Sequence, residues 1–82
     1  MIDYTPNAEQ ILFATKLLQL LKHGGAWAVP MSQQVYIIDH ENKKLTLTHG
    51  PDTPEATEVV EKNKILFAAV GYSVVDSRSQ LN

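Results

Sequence analysis

The chain contains no cysteine. That absence removes disulfides, thiolate nucleophiles and sulfur-ligated metals together. It also fits a reducing compartment, so the expected location is cytoplasmic. An excess of positive charge is missing as well: seven Lys and Arg stand against nine Asp and Glu. A domain that works mainly by neutralising phosphates needs the opposite balance, so nucleic acid is not the expected partner. Long apolar runs are lacking too. The stretch beginning at Ile11 is broken by Lys16 and preceded by Asp3 and Glu9. It does not read as a signal peptide, and nothing is long enough to span a bilayer, so no membrane partner is expected. There is no internal repeat and no low-complexity segment.

What is present fits one α+β domain over residues 1–82, with loose ends expected at Met1 to Tyr4 and Ser77 to Asn82. Its organising stretch runs from Ala26 to Thr48 and reads as a three-stranded antiparallel meander. Asp39-His40-Glu41-Asn42-Lys43 fits a three-residue hairpin loop with Asn42 in the left-handed position. Met31-Ser32-Gln33 would join Pro30 to Gln34 in the same way. These registers pair Ile37 with Leu45, Val35 with Leu47 and Val29 with Val35. They put Trp27, Val29, Val35, Ile37, Leu45 and Leu47 on a core face. Ala26, Ala28, Tyr36, Ile38, Thr46 and Thr48 then fall on the outer face.

Helices flank the meander. Thr5-Pro6 has the cap-then-proline form of a helix start, and Lys22-His23 followed by Gly24-Gly25 has the form of a stop. Leu12 breaks the polar side of this first helix. Thr53-Pro54 repeats the start signal, and the second helix is expected to run to about Val70 with Gly71 as its stop. Asn63 lies in the middle of its apolar face, among Val59, Val60, Leu66, Phe67 and Val70. Three readings follow: an amide satisfied inside the fold, a break in the helix, or a polar residue fixing the register of an oligomer seam. Ile65 lies on the opposite, acidic side with Glu58 and Glu61. Tyr72 to Asp76 reads as a short fourth strand, returning beside the first in the order 3-2-1-4 or pairing with a second subunit. The fold class is α-β-β-β-α-β, with the helices mainly on one sheet face.

Chemistry-bearing patterns are few. Gly24-Gly25 follows a helix and precedes a strand, whereas phosphate loops open onto a helix start. His23, His40 and His49 have no metal-ligand spacing, so no metal and no cofactor is expected. Asp39-His40-Glu41 reads as a solvated hairpin end. Glu55, Glu58 and Glu61 lie on an exposed helix side, without a pocket to tune them. No serine sits in a nucleophile-elbow sequence. No catalytic residue emerges, and the chain does not read as an enzyme.

Over about Thr5 to Gly71, the order helix, three antiparallel strands, helix resembles the double-stranded RNA-binding domain. That family's second helix opens with lysines that grip phosphates. The matching stretch here is Pro54-Glu55-Ala56-Thr57-Glu58, and Lys43-Lys44 is too short for a basic stripe. The resemblance therefore implies a fold without its function. The expectation is a small binding or regulatory domain that acts by protein–protein contact as a homodimer; an accessory inhibitor, such as a virus-encoded one, fits that description. Its contact residues would be Tyr36, Ile38, Thr46 and Thr48 on the outer face, with Leu12 and Ile65 on the helices and Asn63 setting register. The alternatives are a nucleic-acid module using Lys16, Lys22, Lys43 and Lys44, and an enzyme whose site forms between subunits.

Overall fold

A computed structural model describes residues 3–78. The elements are α1 (Ala8–Leu20), β1 (Gly25–Val29), β2 (Gln34–Asp39), β3 (Lys44–His49), α2 (Pro54–Ala68) and β4 (Ser73–Asp76). Four strands form one sheet in the order β1-β2-β3-β4; the first two pairings are antiparallel and the third is parallel. The expected element order holds. The expected strand order 3-2-1-4 does not, because β4 returns beside β3. Space over β1 is already taken: Phe13 of α1 meets Trp27 with ring centroids 6.0 Å apart. The β3–α2–β4 crossover therefore closes on the nearer side. Backbone bonds from Ser73 N to Lys43 O and from Ser77 N to Leu47 O, both 2.9 Å, fix it there.

Local chemistry explains the helix ends. Thr53 caps α2, its hydroxyl accepting from Ala56 N at 3.1 Å, and Pro54 follows as the first helical residue. The same Thr-Pro pair does not start α1. Asn7 does so, through a reciprocal box in which Asn7 Oδ1 accepts from Gln10 N and Gln10 Oε1 accepts from Asn7 N. The amide oxygen of Asn7 at the cap, answered by a glutamine three residues on, outcompetes Thr5. At the other end α1 stops before Lys22-His23. Gly24, at φ +83, donates to Leu21 O as the chain turns into β1. Past α2, Tyr72 N bonds Phe67 O and Gly71 N bonds Ala68 O, with Gly71 at φ +85: the paired bonds of a Schellman stop.

Both hairpin registers differ from the expected ones by one residue. Val29 pairs with Gln34 and Asp39 with Lys44, so each loop has four residues, Pro30–Gln33 and His40–Lys43. The left-handed residue is the last of each loop, Gln33 at φ +56 and Lys43 at φ +51, not Asn42. Asn42 instead bonds back to Asp39, through its backbone N–H at 3.2 Å and its side-chain amide at 2.8 Å. Both loops border β2, so the two shifts together turn that one strand over. Tyr36 and Ile38 face the helices, and Val35 and Ile37 face away. Strands β1 and β3 keep their expected faces. Thr48 is the extra residue of a β-bulge, since Tyr36 pairs with Leu47 and Val35 with His49; its hydroxyl donates to Val35 O.

Both helices cover one face of the sheet. The core joins Tyr36, Ile38, Leu45, Leu47 and Val74 from the strands to Ala14, Leu18, Val60, Leu66 and Phe67 from the helices. The chain ends expected to be loose are in part docked: Tyr4 packs against this core, and Ser77 and Arg78 are hydrogen-bonded. The rest of those two segments, residues 1–2 and 79–82, lies outside the described residues.

Candidate binding surface

Among the described residues no element lies over the other face of the sheet. It carries Ala26 and Ala28 from β1, Val35 and Ile37 from β2, Thr46 from β3 and Val75 from β4. The ladders align four of these in a row: Ala26 pairs with Ile37, Ile37 with Thr46, and Thr46 with Val75. No member of that row is charged. Ile37 and Val75 are 42% and 41% exposed. Antiparallel sheets that leave one face in water normally alternate polar residues onto it. Among the described residues the polar groups here are Thr46, Thr48, His49 opposite Val35 and Ser73 opposite Lys44, and the charged pair Asp39 and Lys44 stands at the end of the ladder.

The residues expected to make contacts divide accordingly. Tyr36 and Ile38 do not belong to the open face; Tyr36 is fully buried and Ile38 nearly so. Thr46 and Thr48 do lie away from the core, half-buried. Leu12 is exposed on α1 and Ile65 is half-buried on α2, both apart from the sheet face. Val35, Ile37 and Val75 were missed. A hairpin count of four instead of three would have found the first two.

Asn63 and Tyr36 are parts of one hydrogen-bonded chain across the core. Gln34 Nε2 donates to Ala56 O at 3.0 Å, Tyr36 Oη donates to Gln34 Oε1 at 2.8 Å, and Asn63 Nδ2 donates to Tyr36 Oη at 2.9 Å. The carbonyl can only accept, so every donor and acceptor along the chain is fixed from that end. Burial pushes the Tyr36 phenol above the ordinary tyrosine value, with the bond from Asn63 opposing. Of the three readings of Asn63, the amide satisfied inside the fold is the one with bonds to match, and α2 runs unbroken through it. Gln34, fully buried, had no sequence signal beyond its place next to the turn.

Two further polar junctions hold the fold together. His40 is half-buried, not a solvated hairpin end. Its Nε2 lies 2.6 Å from Leu21 O, which requires a proton on that nitrogen, and its Nδ1 lies 2.6 Å from Tyr72 Oη. It thus ties the end of α1 to the start of β4. Arg78 grips Asp76 with two parallel bonds of 3.0 and 2.8 Å and donates to Pro51 O at 2.7 Å. The Arg78 bonds hold the Asp76 carboxyl below the usual carboxylate range. Among the described residues no group of three His, Asp or Glu side chains could hold a metal ion. No helix there is long and apolar enough to cross a membrane.

No protein-family model, no curated protein and no solved structure matches the chain.

Proposed function

We propose that this is a small protein-binding domain, homo-oligomeric or regulatory in use, which works by laying the open face of its sheet against another protein. One observation carries the reading. A row of uncharged side chains, Ala26, Ile37, Thr46 and Val75, crosses all four strands on a face that no helix covers among the described residues. Apolar surface that is contiguous across a small domain marks an interface far more often than scattered exposed leucines do. The acidic opening of α2, with Glu55 and Glu58, weighs against the nucleic-acid alternative.

The test compares the wild-type chain with the double variant Ile37→Ser, Val75→Ser, both immobilised as bait in extract of the native host. A bound protein retained by the first and lost by the second supports the reading, provided the two melt alike. Equal retention by both removes the open face from the reading. Retention on heparin that falls steeply with salt would favour nucleic acid instead.

A further inference from the structure

Among the described residues the sheet has two free edges, β1 and β4, and they are not alike. The β4 edge is short and ends at Asp76, held by Arg78. The β1 edge has no such guard. From Gly24 to Ile38 no residue is charged. That span takes in β1, the first turn and nearly all of β2. Gly25, Ala26 and Ala28 are exposed, no proline interrupts the strand, and its ladder with β2 is free of bulges. Charge, proline, a bulge or a covering element normally protects an edge from pairing with another chain. Among the described residues none is present at β1.

We infer that β1 pairs antiparallel with β1 of a second copy of this chain, joining two sheets across a two-fold axis. This rests on the reading that the domain acts by protein contact, and it names one partner and one edge. The register follows from the hairpin. Val29 and Gln34 close it, and hydrogen-bonded pairs alternate along an antiparallel ladder. Val29, Trp27 and Gly25 therefore turn their backbone groups toward β2, and Ala26 and Ala28 turn theirs to the free edge. The pairing that uses both sets Ala26 against Ala28 of the second copy, with Trp27 at the axis. Such an interface is isologous and closes as a dimer. The missing charges mean that no like charges meet when the edge faces itself.

Amide hydrogen exchange on the full chain at about 20 and about 500 µM, with sedimentation of the same samples, tests the pairing. The expected result is a dimer at the higher concentration. There the Ala26 and Ala28 amides exchange at least about tenfold more slowly than in the dilute sample, and the Trp27 amide does not change. Ala28→Pro removes one edge donor and spares the ladder to β2, so it abolishes the dimer while the far-UV spectrum stays native. Should that variant fail to fold, the wild-type exchange pattern decides alone. A chain that sediments as a monomer throughout overturns the pairing and leaves contact of the open face with another protein standing. A dimer whose Ala26 and Ala28 amides stay fast, and which Ile37→Ser with Val75→Ser dissolves, overturns the edge pairing and supports the face.

Discussion

Asn63 in the middle of α2 donates its amide to the hydroxyl of Tyr36 in the middle of β2, at 2.9 Å. The polar residue that breaks a helix's apolar face and the tyrosine at the centre of the sheet are partners. Tyr36, fully buried, is not free to serve an outside surface. Their bond continues through Gln34 to the backbone of α2's first turn, so the helix is tied to the sheet at two levels.

Tyr36→Phe is expected to cost about 1–3 kcal/mol, because it leaves Gln34 Oε1 buried with no donor. Asn63→Leu is expected to cost less, about 1 kcal/mol or under, since Tyr36 keeps its bond to Gln34. Denaturant melts of the two variants against wild type give the order. A larger loss for Asn63→Leu would mean that the chain of bonds is not the stabilising unit.

Alkaline stability depends on the same tyrosine. Its folded pKa is raised, chiefly by burial. The unfolded chain therefore ionises first, and stability present below the ordinary tyrosine value is lost as pH climbs from there through the folded value. Tyr36→Phe is expected to flatten the fall of melting temperature above about pH 10, although the variant starts lower.

At the acid end Asp76 behaves in the opposite sense. Arg78 lowers its folded pKa. The stabilisation is present above the ordinary carboxylate value and disappears as pH falls through the folded one. Arg78→Lys keeps the charge and loses the two-pronged grip on Asp76 together with the planar reach to Pro51 O. A loss of about 1–3 kcal/mol at neutral pH is expected. The deficit should shrink in acid, where the wild-type pair is protonated. Melting curves at several pH values measure both.

The turn residues offer a check on register. Gln33→Gly and Lys43→Gly should each raise stability by up to about 1 kcal/mol, since a side chain at positive φ is disfavoured and glycine is not. Asn42→Gly should lower it, because it removes the bond from Asn42 Nδ2 to Asp39. The reverse pattern would restore the three-residue loop.

These turns also show where the sequence stops being legible. The Thr53-Pro54 start, the Gly71 stop and the four β-segments were readable because each depends on chemistry within a few residues. The loop length was not: Asn42 tolerates the left-handed conformation better than Lys43, yet the bonds between Asn42 and Asp39 place Lys43 there. A strand's faces follow from a single count, so that local preference exchanged Tyr36 and Ile38 for Val35 and Ile37 in the expected contact surface. The placement of β4 depended on which part of the sheet α1 already covers, which is a tertiary fact. His40 and Arg78 make their bonds across 19 and 27 residues, beyond any local pattern. The absence of charge from Gly24 to Ile38, by contrast, was visible all along and acquired meaning only once β1 proved to be an edge.

Trp27 is the only tryptophan in the chain. Its ring lies over Tyr36 with centroids 5.3 Å apart, meets Phe67 of α2 edge-on at 5.7 Å and touches Phe13 of α1. One indole therefore senses the sheet and both helices at once. Its emission and its near-ultraviolet circular dichroism form a built-in optical gauge, in which lifting either helix, or bringing a second β1 against the first, registers without any label.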